Sequence, residues 1–222
     1  MDLKDVEERL MGREFLEVFE EWAPSYDDTV SGDNPQYRDV FDKYDTILDA
    51  VTDLAEGNVL EFGVGTGNLT KKLIDKNLQV FGIEPSDPMR KIAQEKLPEI
   101  TIDDGDFLRF PVPEAEINSI VSTYAFHHLK DAEKEEAIRK FHEILADKGK
   151  VIFADTVYET EKTKQDIHEE AKAKGYKDLL HDLQTEYYPL LEDLRAMFTK
   201  NGFKFEAKQL NKFVWLFVAE KQ

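Results

Sequence analysis

Between residues 34 and 54 the apolar side chains fall at Tyr37, Val40, Phe41, Tyr44, Ile47, Leu48, Val51 and Leu54, the three- and four-residue spacing of an amphipathic helix. Asn34-Pro35 offers a cap followed by proline in the first turn and Gly57 closes the run, so the pattern predicts one helix over 34–54. The period then changes. Val59 to Phe62 reads as a buried strand, glycines at 63, 65 and 67 make a loop, and Leu69, Leu73 and Ile74 mark a helix ending near Asn77. Gln79 to Ile83 is a second strand; Ser86-Asp87-Pro88 caps a helix carrying Met89, Ile92, Ala93 and Leu97, stopped by Pro98. Ile100 to Ile102 is a short third strand and Ile117 to Tyr124 a fourth, with Ile120-Val121 pointing to burial on both faces. Asp131 caps a helix with core face Ala137, Ile138, Phe141, Ile144 and Leu145, and Asp147 to Lys150 turns into a fifth strand, Val151 to Ala154. Strands and helices alternating at this spacing predict right-handed βαβ units and a doubly wound, mostly parallel α/β sheet.

The rhythm breaks after Asp155. Residues 158–188 are highly charged, with Ile167, Ala171, Leu179, Leu180 and Leu183 as a sparse apolar stripe, and read as an inserted helical lid. Pro189 starts a helix with Leu190, Leu191, Leu194, Met197 and Phe198 that ends at Asn201-Gly202. Phe203 to Ala207 and Phe213 to Ala219 then form a closing antiparallel edge pair, the sixth and seventh strands. At the other end, residues 1–30 are helical and partly amphipathic through Leu3, Val6, Leu10, Phe15, Val18, Phe19 and Trp22, up to Pro24. The expected organisation is one domain, 1–222: a helical cover over 1–54, a core over 55–157, the lid over 158–188, and a closing helix and hairpin over 189–222.

Composition narrows the chemistry. No cysteine occurs, which excludes disulfides, thiolate metal sites and a cysteine nucleophile. The chain carries 29 basic against 47 acidic residues, and a net charge of −18 argues against a nucleic-acid substrate, whose phosphates require clustered Lys and Arg. No apolar run approaches a membrane span and Met1 to Leu10 lacks the apolar core of a signal peptide, so a cytoplasmic location without membrane attachment is expected.

In an open α/β sheet, ligands bind beyond the carboxyl ends of the strands. The glycine loop, Glu84, Asp106, the His127-His128 pair and Asp155 all fall there. The loop reads Gly63-Val64-Gly65-Thr66-Gly67, G-x-G-x-G rather than the G-x-G-x-x-G of a dinucleotide site, and Glu61 beside it would repel a pyrophosphate. An ammonium would favour that carboxylate. S-adenosyl-L-methionine meets the demand: it is cationic, carries no phosphate, and has a ribose for Glu84.

Glu61 through Gly67, the acid at Glu84, Gly105-Asp106-Phe107 and Ala125-Phe126-His127-His128-Leu129 together resemble a class I S-adenosylmethionine-dependent methyltransferase. Met11 to Phe15, Trp22-Ala23, Tyr26-Asp27 and Phe153 to Val157 are similar to the YrrT-type bacterial methyltransferases within that family. The resemblance implies a Rossmann-like sheet of seven strands with an antiparallel strand near the C-terminus. It also implies that Glu61, Gly63, Gly65 and Gly67 cradle the methionine and ribose portions and that Glu84 grips the ribose hydroxyls. Asp106 would accept from the adenine amino group, with Asp103 and Asp104 close enough to exchange roles, and Phe107 would line the adenine pocket. Tyr26, with Trp22 and Asp27, would either fold over the cofactor or end a buried helix.

Methyl transfer asks little of side chains, because positioning and exclusion of water supply much of the acceleration. The resemblance implies that the segment after strand four faces the transferred methyl, so that Tyr124, Phe126, His127 or His128 would border the acceptor; Tyr188 either adds an aromatic wall or packs the inserted helices. An acceptor that must lose a proton would find a base in His127, His128 or Asp155, the last equally able to bind a cation or cap a turn. Adjacent histidines on a strand end point apart and no third ligand stands at a diagnostic spacing, so no metal is expected. The expected function is methylation of a small-molecule acceptor, giving S-adenosyl-L-homocysteine; the alternative is a non-catalytic protein that binds the cofactor as a sensor or docks a partner.

Overall fold

The computed structural model describes residue 23, residues 26–32 and residues 34–222. The apolar positions Leu3 to Trp22, and Pro24, lie outside the described residues. Eight helices and seven strands follow in chain order among the described residues: α1 (Tyr26–Val30), α2 (Tyr44–Leu54), β1 (Asn58–Phe62), α3 (Asn68–Asp75), β2 (Gln79–Ile83), α4 (Asp87–Lys96), β3 (Ile102–Asp103) and β4 (Ile117–Thr123), then α5 (Asp131–Ile144), β5 (Leu145–Thr156), α6 (Glu161–Lys174), α7 (Lys177–Thr185), α8 (Leu191–Lys200), β6 (Phe203–Gln209) and β7 (Val214–Lys221). None of these helices is long and apolar enough to cross a membrane.

The sheet order is β3-β2-β1-β4-β5-β7-β6. β1 pairs in parallel with β2 on one side and β4 on the other, so the chain reverses direction of travel across the sheet at β1 and β4. That reversal opens a crevice at the carboxyl edge, beyond Phe62 and Thr123. β7 is antiparallel to both β5 and β6. The expected antiparallel strand is therefore present one place in from the border, and β6 holds the edge.

Alternating side chains build a core on each face of the sheet. Leu60, Phe62, Val151 and Phe153 join Phe107, Phe126, Phe141 and Phe217 on one face. Val59, Val121, Ile152 and Ala154 join Ile47, Leu48, Val51 and Leu73 on the other. Both faces being covered explains the unbroken apolar runs of β1 and β4.

Most boundaries fall within a residue or two of expectation, β3 at Ile102–Asp103 and α8 from Leu191 among them, but two differ by more. The helix predicted over 34–54 starts only at Tyr44, and residues 34–43 form successive turns, with Lys43 left-handed at φ 61°. The physical reason is a distant competitor. Asn211 Nδ2 donates to the main-chain oxygens of Val40 (3.0 Å) and Asp42 (2.9 Å), taking carbonyls that a continuous helix would use. β5 is also longer than predicted: it starts at Leu145 and runs through Asp147–Lys150, with a register irregularity against β4 between Ile117 and Ser119.

After β5 the chain makes a helical excursion that returns to its starting point. Tyr158 N–H donates to Pro189 O at 3.0 Å and Leu191 N–H donates to Tyr158 O at 2.9 Å. Between these ties lie α6 and α7, separated at Gly175.

Candidate functional site

The loop after β1 turns on glycine. Gly63 N–H donates to Ile83 O at 2.9 Å, joining the carboxyl ends of β1 and β2. Gly63 (φ 68°) and Gly65 (φ 58°) are both left-handed, a conformation costly for residues with a Cβ. A Cβ on Gly63 would stand 2.8 Å from the Ala125 Cβ, whereas one on Gly65 would meet nothing within 4 Å. Gly67 instead opens α3, close against Leu97 and Ala93 of the α4 region.

Glu84 closes the same corner. Its carboxylate accepts from Gly65 N–H and from Ser86 N–H, both at 2.8 Å, while Ser86 caps α4. Burial pushes the Glu84 carboxyl up, against the opposing pull of those two donors. Glu61, on β1, is 1% exposed and its Oε2 has no hydrogen-bond partner. Burial pushes it up to about 8, with the nearby Thr70 partly opposing and the Glu84 charge adding to the rise. Asp106 Oδ1 accepts from the N–H groups of Leu108 and Arg109, both at 2.9 Å, in a turn that also aims Phe107 inward. The Phe107 ring stacks on Phe62 with centroids 4.9 Å apart.

One cavity runs from this corner across the carboxyl edge. Gly63, Gly65, Glu84, Asp106, Phe107 and Tyr26 line one end. Asp27, next to Tyr26, accepts from Thr66 Oγ1 (2.7 Å), Asn68 Nδ2 (3.1 Å) and Lys96 Nζ (2.5 Å), which fastens α1 across the glycine loop. Lys96 helps hold the Asp27 carboxyl below its usual range even though burial alone would raise it. Glu61 and Gly67 stand behind the cavity wall rather than on it.

The far end is built from three separate parts of the chain. Tyr124, left-handed at φ 54°, ends β4 and packs its ring against Phe41 and Tyr44, at 5.1 and 5.7 Å. A single 3₁₀ turn, Phe126–His128, follows. Phe126 is directed into the core against Phe107 and Phe153, away from the cavity. His127 and His128 both line the cavity, with ring centroids 4.1 Å apart, which overturns the expectation that they point apart: they sit on a 3₁₀ turn, not in a strand. His127 Nδ1 lies 2.5 Å from Asp155 Oδ1, and Asp155 also accepts from the His127 and Thr156 N–H groups. Burial lowers the His127 imidazole, but the Asp155 charge outweighs it and the net shift is upward. Burial and the neighbouring His127 hold His128 down. Asp155 falls below the usual carboxylate range because the His127 charge outweighs burial.

α7 and the residues after it complete the wall. His128 Nδ1 lies 2.9 Å from Glu186 Oε2, and the Tyr188 ring sits 4.7 Å from the His127 ring. Tyr37 hydrogen-bonds Asp182, and Gln36 Nε2 donates to Asp178 Oδ2 at 2.6 Å, tying α7 to the turns of residues 34–43.

A family model described as a methyltransferase domain matches residues 59–149. An uncharacterized methyltransferase of Anoxybacillus flavithermus is 56% identical over 96% of this chain and 100% of its own length. The chain belongs to this methyltransferase family. A YrrT methyltransferase of Halobacillus halophilus is 50% identical over 95% of this chain and 99% of its own. Among solved structures, a DhpI–SAM–HEP complex matches with a TM-score of 0.68 at 16% identity, over 93% of this chain and 95% of that one. Magnesium protoporphyrin IX methyltransferase from Synechocystis with bound SAH matches with a TM-score of 0.67 at 17% identity, over 92% and 98%. At such identities the likeness is one of fold.

In this methyltransferase the structure adds residues that sequence reading missed: Tyr37, Phe41, Asp182, Leu183 and Glu186 all line the cavity. Asp182 and Glu186 stand four apart, alternating with Leu179 and Leu183, a spacing that marks one helix face without showing what it covers.

Proposed function

We propose that this methyltransferase uses S-adenosyl-L-methionine and transfers its methyl group to a small-molecule acceptor bound at the histidine end of the cavity, leaving S-adenosyl-L-homocysteine. The carrying observation is the pairing of an unsatisfied buried carboxylate, Glu61, with an open glycine cradle at Gly65 and a second buried acid at Glu84. These residues fit the cofactor. A buried carboxylate lacking a donor, set just behind the wall, favours an ammonium in the cavity through its charge or a bridging water, and backbone without a Cβ admits a flat ligand close to the chain. Glu84 would receive the ribose hydroxyls, Asp106 and Phe107 the adenine, and Tyr26 would cover the bound molecule.

When bound, the cofactor supplies an electrophilic methyl on a sulfonium, already a good leaving group. This chain's residues then orient the acceptor and exclude water. α1, the turns of residues 34–43 and α7 surround the cavity, and Tyr124, Tyr188, His127 and His128 form the surface that meets the acceptor. The net charge of −18 and the depth of these groups in the fold both favour a small acceptor over nucleic acid.

Calorimetric titration with S-adenosyl-L-methionine, with NAD as matched control, is the first test. Binding of the first alone supports the cofactor assignment, and S-adenosyl-L-homocysteine formation in an acceptor screen supports catalysis. Preferred binding of NAD refutes the reading, and tight cofactor binding with no turnover across the screen favours the sensor alternative.

A further inference from the structure

We propose that His127, His128 and Glu186 form a binding site for a zinc-type divalent cation on the acceptor wall of the cavity. One ligand atom from each residue, two imidazole nitrogens and a carboxylate oxygen, falls within 4.8 Å of the others. Four ligands about 2.1 Å from a tetrahedral ion stand about 3.4 Å apart, so small rotations of these side chains close the set. Two histidines and a glutamate, with one position left for water or substrate, are the donor composition of catalytic zinc sites.

A second observation is independent of that clustering. Metal-binding histidines characteristically give their other ring nitrogen to a carboxylate, which fixes the ring and its tautomer. His127 has that arrangement: Nδ1 lies 2.5 Å from Asp155 Oδ1, leaving Nε2 as the ligand atom. Asp155 is itself held by the N–H groups of His127 (2.9 Å) and Thr156 (2.7 Å). The wall also gathers acids where a cation is expected, with Asp182 one helical turn before Glu186. His127 is buried and His128 and Glu186 are partly so, which shields a bound ion from bulk water while the cavity gives it an entry path.

The remaining coordination position faces the cavity that would receive the acceptor, and would hold an acceptor sulfur or oxygen. That role rests on the methyl-transfer reading; the ion binding does not, so it is tested without cofactor or turnover.

Chelator-treated protein is titrated with Zn²⁺ by calorimetry, and with Co²⁺ by visible absorption. The expected result is one Zn²⁺ per chain and a Co²⁺ spectrum with the intensity of four-coordinate geometry. Glu186→Gln and His128→Asn should each weaken Zn²⁺ binding at least about tenfold, and Asp155→Asn about 10–100-fold. His181→Asn, at an exposed position of α7, should leave it unchanged. Absence of saturable Zn²⁺ binding in the wild-type chain overturns the proposal, as does affinity equal in wild type, Glu186→Gln and His128→Asn. Should a variant fail to fold by circular dichroism, the wild-type Co²⁺ spectrum decides: weak octahedral absorption overturns the site.

Discussion

The Glu84 carboxylate and the Gly65 N–H are joined by a 2.8 Å hydrogen bond that links the end of β2 to the loop after β1. The acid proposed to hold the ribose is thus positioned by the glycine loop proposed to cradle the same ligand. Glu84→Ala removes both the ligand contact and this brace. Losing charge-assisted hydrogen bonds costs about 1.5–3 kcal/mol, so affinity for S-adenosyl-L-methionine should fall roughly 10- to 150-fold by calorimetry. Unchanged affinity would remove Glu84 from the cofactor site.

Glu61 makes stability depend on pH in an unusual direction. Its carboxyl keeps a proton up to about pH 8 in the folded chain, against an ordinary value of 4.5. Between those values the native state binds more protons than the unfolded state, so stability falls as pH rises. The contribution is fully present below pH 4.5 and lost as pH passes about 8. Its size is on the order of 5 kcal/mol at about 1.4 kcal/mol per unit. Urea unfolding of wild type and Glu61→Gln across pH 5–9 checks this. The difference between the two should grow in favour of the variant with rising pH, and a constant difference would refute it.

The same group links cofactor binding to proton release. If the bound ammonium stabilises the Glu61 carboxylate, binding at pH 7 expels the proton that burial retained. Binding heats measured in buffers of different ionisation enthalpy should then show release approaching one proton, and Glu61→Gln should abolish it. Equal heats across buffers for the wild type would place the ammonium elsewhere.

Gly63 and Gly65 predict opposite phenotypes. Alanine at either position strains a left-handed backbone by about 1–2 kcal/mol. At Gly63 the new methyl also stands 2.8 Å from Ala125 Cβ, so Gly63→Ala should lower the melting temperature more. At Gly65 there is open space, so Gly65→Ala should fold with a smaller loss and show its main defect in cofactor affinity. Equal thermal losses with equal affinities would show that the loop does not distinguish the two positions.

What could be read from sequence follows how locally each feature is built. Glu61, the three glycines and Glu84 lie within one βαβ unit, so spacing alone places them at one corner. The histidine wall is different. Glu186 reaches His128 from 58 residues away and Asp182 reaches Tyr37 from 145, and no periodicity reports such meetings. His127 and His128 share a direction only because β4 gives way to a 3₁₀ turn after a left-handed Tyr124.

The shortened α2 carries the same lesson and a measurable consequence. An apolar stripe over 37–54 favours one long helix, yet Asn211, 171 residues from Val40, replaces helical hydrogen bonds with its own. Its Oδ1 simultaneously accepts from the N–H groups of Phe213 (2.8 Å) and Val214 (2.7 Å) at the start of β7. One buried amide therefore satisfies both the turns of residues 34–43 and the approach to the antiparallel strand. Asn211→Ala strands donors and acceptors that lie partly out of reach of water, and should cost about 2–4 kcal/mol in urea unfolding. Because Tyr37, Val40 and Phe41 line the cavity, the variant should also be cleaved faster by protease within residues 34–43. A loss below about 1 kcal/mol with unaltered proteolysis would mean that α7, through Tyr37 and Gln36, holds these turns without Asn211.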